Sequence, residues 1–142
     1  MDAMEISRTG LDVEWQRLQV IAQNLANMNT TRTGSGQPYR PVRLVSGPQA
    51  DFATLLRGGP TSEAPSGVQI LGLEPMSGGV RRVHEPNHPH ADADGFVTYP
   101  DIDHAAEMTL LIKTSRAYEA NLTAMSVAHQ MYSRAAELGR QA

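Results

Sequence analysis

The chain has 142 residues, no cysteine and a formal charge of −3. Its length allows a single domain, or one helical unit with one small domain. So mild an acidic balance makes no field for nucleic acid, and without cysteine there is no disulfide framework, thiolate metal site or cysteine nucleophile.

The 12 glycines and 9 prolines fall almost entirely between residues 31 and 100. The ends are nearly free of them, so the sequence predicts three parts: an N-terminal helix over 1–31, an irregular or β insert over 32–102 and a C-terminal helix over 103–142. The expected fold is mainly α with a small β insert, its two long helices packed as a coiled-coil hairpin around the Gly/Pro-rich region. With aromatics at 5%, a large core in the middle is not expected. The polar N-terminus lacks the apolar segment of a cleavable signal peptide. No apolar run approaches the ~20 residues of a membrane span.

The first helix is predicted over 4–28. Met4, Leu11, Trp15, Leu18, Ala22 and Leu25 recur in steps of three and four and form its expected buried face, which Val20 and Ile21 broaden. Gly10 inside the pattern costs about 1 kcal/mol relative to alanine and allows another helix to come close. Asn24, Asn27, Thr30 and Thr31 mark the end, since Asn tolerates the left-handed backbone that terminates helices.

Residues 31–41 read as a loop and 41–45 as a short strand. Residues 51–56 fit a helical turn or a strand equally, and 58–67 resemble a linker. Strands are predicted over 68–73 and 80–84, joined by the turn 75–79 and paired as a hairpin. A loop rich in Pro, His and Asp follows over 85–94, then a brief extended piece over 95–99.

The last helix is predicted over 103–138. Its seam has two rows, Leu111, Tyr118, Met125 and Tyr132 beside Met108, Ser115, Leu122, His129 and Ala136. Asp101 or Asp103 supplies the N-cap, and Gly139 suits the residue just past the end. About 35 residues make a helix near 50 Å long. The shorter first helix cannot cover it, so part of the seam is expected to stay open as an association surface.

Few constellations suggest chemistry. His84, His88, His90, Asp92, Asp94, Asp101, Asp103 and His104 crowd near one loop and are metal-ligand types. Pro86 and Pro89 break that segment, and the residues read more simply as a solvated loop. Asp92-Ala93-Asp94-Gly95 lacks the third oxygen ligand and the later Glu of a calcium loop. It reads as a turn in which Asp side chains bond backbone N–H groups, with Gly95 at positive φ. Gly34-Ser35-Gly36 is no phosphate loop, and Ser46 and Ser77 lack a nucleophile-elbow context. No cofactor, metal or small-molecule substrate is expected. Asn24, Asn27 and Asn121 beside Tyr118 can instead bond across apolar helices and fix their register.

These residues resemble a known family. Asn24-Leu25-Ala26-Asn27 with Thr30-Thr31, and Glu107-Met108 with the run from Ser115 to Asn121, resemble the terminal helices of flagellar axial proteins, the bacterial rod and hook proteins. Gln37-Pro38-Tyr39-Arg40, the run from His84 to Asp92 and the run from Asp94 to Asp103 are similar to the proximal-rod subunits in particular. The resemblance departs from that pattern at His84, Asn87, Tyr99 and Asp101, and does not extend over 46–67. It implies a non-enzymatic subunit of the basal-body rod, exported by the flagellar type III apparatus without a cleaved signal and polymerised in the periplasm. Implied partners are other copies of the chain, other rod proteins, and proteins of the membrane ring and export-gate junction. The expected assembly interface comprises Leu11, Trp15, Leu18, Asn24, Leu25, Asn27, Leu111, Tyr118, Asn121, Leu122, Met125 and Tyr132. The competing readings are a helical-hairpin adaptor or export chaperone, and a His/Asp metal-dependent hydrolase.

Overall fold

A computed structural model describes residues 3–49 and 67–141. Two long helices carry most of the regular structure: α1 over Ala3–Ala26 and α2 over His104–Gln141. Between them run four strands, β1 (Val42–Pro48), β2 (Val68–Pro75), β3 (Val80–His84) and β4 (Phe96–Pro100). The expectations for 51–56 and 58–66 lie outside the described residues. No described helix is long and apolar enough to cross a membrane.

The strand pairing differs from the predicted hairpin. β2 pairs with β1, and β3 with β4, as two separate two-stranded sheets. β3 and β4 are antiparallel, with Val83 opposite Val97 and Arg81 opposite Tyr99. The turn between β2 and β3 is diverted by its glycines. A β-carbon on Gly78 would lie 2.9 Å from the Asp101 carbonyl oxygen, and the Asp101 N–H donates to the Gly79 carbonyl at 3.2 Å. The bare backbone thus runs against the end of β4 instead of folding back onto β2. Arg81 and Arg82 point to opposite faces of β3, as successive strand residues must. Arg81 lies 5.1 Å from the Tyr99 ring centre and Arg82 4.7 Å from that of Phe96.

The chain divides into two compact units. One takes the described parts of Met1–Gln16, Val45–Gly72 and Thr114–Ala142; the other takes Arg17–Leu44 and Leu73–Lys113. In the first unit Val13 is buried, and Gly10 is so close to α2 that an added β-carbon would stand 2.9 Å from Asn121 Oδ1. Trp15 and Tyr118 stack obliquely there, ring centres 6.3 Å apart. Thr9 Oγ1 donates to the Ile6 carbonyl at 2.7 Å and accepts the Val68 N–H at 3.1 Å, which ties the start of β2 to α1. In the second unit Ile21, Leu44 and Val97 form the apolar core.

Asp103 is the N-cap of α2: its Oδ1 accepts the Ala106 N–H at 3.1 Å, satisfying one of the free donors of the first turn. Gly139 does not end the helix, which runs on to Gln141; nothing lies within 4 Å of where its side chain would be, so no packing there favours a sharper stop.

Candidate assembly interface

Which face each helix buries within the chain decides what is left for a partner. On α1 the buried residues are Gly10, Val13, Ile21 and Asn24, with Arg17 half-buried in the same stripe. The predicted face lies one residue further round, roughly 100°. Leu11, Leu18 and Leu25 are only half-buried and Trp15 is 53% exposed. On α2 the stripe Glu107, Leu111, Thr114, Tyr118, Asn121, Met125 and Ala128, in unbroken steps of four and three, is covered, with Ser115 and Ala117 half-buried beside it. One predicted row, Leu111, Tyr118 and Met125, is in this stripe. The other is largely open: Met108, Leu122, His129 and Ala136 are exposed, Leu122 keeping 48% of its surface, and of this row only Ser115 is half-buried. Tyr132 belongs to the covered row by spacing but lies past its end, 69% exposed. From His129 to Arg140 every residue is exposed.

The stripes chosen within the chain contain polar groups that sequence periodicity passes over. Asn24 shows why they are buried. Its Nδ2 donates to the Val42 carbonyl at 2.8 Å and to Glu107 Oε2 at 3.4 Å; its Oδ1 accepts from Tyr39 OH at 2.9 Å and from the Val42 N–H at 3.2 Å. One amide thus joins α1, the loop before β1, β1 itself and the first turn of α2. Burial, and then the negative charge of Glu107, push the Tyr39 phenol above its usual pKa. Arg17 adds a parallel tie, donating from Nη1 to the Leu44 carbonyl at 3.0 Å. Beside this network a cavity of about 320 Å³ is lined by Ile21, Asn24, Leu44, Met76, Glu107 and Leu110, among others.

Asn27 acts locally instead. Its side-chain amide donates to the Gln23 carbonyl at 2.9 Å, and its oxygen accepts from Thr30 Oγ1 at 3.0 Å, the capping role open to it in sequence. Asn121 is packed on Gly10. Glu107, Thr114, Val13 and Arg17 were missing from the expected set. A lone Glu in a first turn reads as a response to the helix dipole, and an Arg or Thr breaks an apolar pattern. Gly10 was the one available signal, and it marks the face on which the helices come close.

The His/Asp loop is tied into the fold. His88 Nδ1 accepts the His90 N–H at 3.0 Å, and His90 Nδ1 shares a hydrogen bond of 2.7 Å with Thr31 Oγ1. Tyr99 OH donates to Glu85 Oε2 at 2.9 Å, and this bond, with burial, raises the Tyr99 pKa. Asp92 Oδ1 accepts the backbone N–H of Phe96 at 2.8 Å and of Asp94 at 3.0 Å, with Gly95 at φ 78°. The turn form read from Asp92-Ala93-Asp94-Gly95 is the one present. Asp92 also pairs with Arg82. The Phe96 N–H first, and the Arg82 contact with it, hold its carboxyl below the usual range. Among the described residues, no three His, Asp or Glu side chains gather closely enough to hold a metal ion.

Comparison with known proteins places this arrangement. Residues 4–32 match the family described as flagella basal body rod protein, and residues 93–138 match the C-terminal region described for the flagellar basal body rod FlgEFG proteins. The flagellar basal-body rod protein FlgC of Bacillus subtilis is 33% identical over 97% of each chain. That of Salmonella typhimurium is 31% identical, covering 99% of this chain and 98% of its own. That of Aquifex aeolicus is 32% identical, covering 96% and 94%. The two family matches fall on α1 and on β4 with α2, and the full-length relatives carry the resemblance through the strands between them. The chain belongs to the FlgC family of proximal-rod proteins: it is a structural subunit of the flagellar basal-body rod and not an enzyme.

Proposed function

We propose that the chain polymerises through its two terminal helices to form part of the axial shaft that transmits motor torque. In this reading the helices make the inner tube and the strands face outward. The helices meet those of further copies and of other rod proteins, and the proximal end meets proteins of the membrane ring and export gate. Assembly takes place in the periplasm after export without a cleaved signal. One observation carries the reading. An apolar row of each terminal helix, Leu11, Trp15 and Leu18 on α1 and Met108 and Leu122 on α2, stays half-buried or exposed within the chain. Leaving such stripes in water is unfavourable, at about 25 cal/mol per Å² of apolar surface, and neighbouring helices remove that penalty.

The test uses Leu122, half-exposed in the chain and central to the open row. Leu122→Asp, expressed in a strain lacking the wild-type subunit, is expected to be exported with its strands folded yet to leave rods incomplete and cells non-motile. Secretion, rod completion and swimming are scored separately. Normal rods and swimming with this variant would mean that the open face meets no neighbour, and the polymer reading would fail in favour of a helical adaptor.

A further inference from the structure

Met76, in the turn after β2, reaches the buried network at Asn24. Its N–H donates to the Pro41 carbonyl at 2.9 Å, and its Sδ accepts from Asn24 Nδ2 at 3.8 Å. All the groups concerned belong to the unit of Arg17–Leu44 and Leu73–Lys113. An amide nitrogen has two hydrogens to give. The Val42 carbonyl, at 2.8 Å, takes one. The other is left for two acceptors, Glu107 Oε2 at 3.4 Å and Met76 Sδ at 3.8 Å. A thioether is a weak acceptor, so the carboxylate keeps most of this hydrogen. Glu107 depends on it. The residue is 4% exposed, and among the described residues Asn24 is the one side-chain donor to its carboxylate. Met76 itself is open to small solutes: it is 36% exposed and forms part of the wall of the cavity of about 320 Å³.

The geometry points to Met76 as a site of oxidative modification, where a peroxide makes the sulfoxide and the new oxygen takes the Asn24 hydrogen from Glu107. The step balances: the thioether sulfur gains one oxygen and is oxidised, and hydrogen peroxide is reduced to water. The cavity beside Met76 has room for the added atom. A sulfoxide oxygen carries partial negative charge and is a much stronger acceptor than thioether sulfur. Beside Nδ2 it competes for the single hydrogen that Glu107 uses, and two oxygens, one of them charged, then meet at one donor. A buried acceptor left without its partner is costly, so the tie between α1 and the first turn of α2 is released. The sulfoxide cannot turn away into water without withdrawing the side chain from the cavity wall, because the backbone is held at Pro41. Met108 and Met131 are exposed too, but on open helix faces, where an added oxygen meets water.

The test treats the full-length monomer with hydrogen peroxide, wild type and Met76→Leu side by side, so that oxidation of the other methionines cancels in the comparison. Met76→Leu conserves apolar volume. Peptide mass mapping is expected to find one oxygen on Met76 as early as on Met108, which is similarly exposed, and before the half-buried Met125. Hydrogen exchange from Ile21 to Leu25 should become faster by about tenfold or more in the oxidised wild type and change little in Met76→Leu. Methionine sulfoxide reductases should restore the slow rate. Glu107→Gln should remove most of the acceleration, since the amide it introduces can donate to the sulfoxide oxygen. Met76 spared while Met125 is oxidised overturns the site. Oxidised Met76 with unchanged exchange, or equal acceleration in Glu107→Gln, overturns the competition for the Asn24 hydrogen. Fast exchange from Ile21 to Leu25 before any treatment overturns it as well, because the network is then not formed. None of these outcomes depends on whether the chain polymerises.

Discussion

At Asn24 a single amide has four polar partners in a buried place, and that count determines what substitution does. Asn24→Leu would strand Tyr39 OH, the Val42 N–H and Glu107 in a setting where each unsatisfied group costs about 1–3 kcal/mol. We expect a lowered urea midpoint with unchanged slope, and a larger loss than for Tyr39→Phe, which removes one bond. Equal losses for the two would show that Asn24 does not hold the network. Asn24 was legible in the sequence as a residue able to bond across helices. Glu107 was not, because nothing local distinguishes a buried acid from one placed for the helix dipole. Asp92 gives a pH-dependent counterpart. Its carboxyl is held below the value it has in an unfolded chain, chiefly by the Phe96 N–H. The stability it contributes is therefore complete above the ordinary carboxylate range near pH 4 and is lost as pH falls through the lower folded value. On acidification the protection factor of the Phe96 amide, its exchange rate relative to the intrinsic rate at the same pH, should fall in the wild type, and Asp92→Ala should show the low protection at every pH. A Phe96 protection factor in the wild type indifferent to pH would contradict the assignment.

On the scale of elements, both helices were legible to within a few residues, because Pro is absent from them, each holds a single Gly, and apolar steps of three and four recur along them. The face was not. Periodicity ranks faces by hydrophobicity, and α1 buries within its own chain the face that holds Gly10, Arg17 and Asn24. Close approach and polar satisfaction, which no apolar count registers, decide that choice. The strands failed for a related reason. A short Gly-rich turn between two apolar segments signals a hairpin, yet Gly78 is there to let the Asp101 carbonyl approach. The Gly10–Asn121 contact offers a test by coupling. Gly10→Ala gains up to about 1 kcal/mol of helix propensity but drives a β-carbon to 2.9 Å from Asn121 Oδ1. Asn121→Ala removes the obstacle while keeping helicity. The double variant should be more stable than the sum of the single effects, a coupling that thermal unfolding of all four chains measures. Strict additivity would mean that the two residues do not touch. Gly67 allows no such relief: its φ is 90°, and a β-carbon would meet Thr9 Oγ1 at 2.5 Å. Gly67→Ala should be destabilising whatever stands at position 9.

For the molecule as a whole, the division into units revises what a subunit retains before it assembles. Helical periodicity alone suggests that both ends are loose in an isolated chain, over 1–31 and after about residue 118, since helices without partners are marginal. The unit formed by Arg17–Leu44 and Leu73–Lys113 alters the first of these expectations. It contains Ile21 and Asn24, both nearly inaccessible to solvent, and the hydrogen bonds that fasten them. The second half of α1 therefore has tertiary partners of its own, and local stability follows buried contacts and satisfied backbone groups. By contrast, residues 129–140 are covered by nothing in their own chain. Hydrogen exchange on a verified monomer should show a gradient along each helix: slow at Ile21 to Leu25 and at Val97, intermediate where α1 and α2 meet around Gly10 and Asn121, and fast from His129 onward. In the assembled rod the fast segment should become protected and the slow one should change little. Protection at residues 129–140 in the monomer equal to that at Ile21 would show that the end needs no neighbour, and would remove the reason for treating it as an assembly surface. Fast exchange at Ile21 and Asn24 would show that the polar network does not hold outside the rod, and that the unit around it is itself a product of assembly.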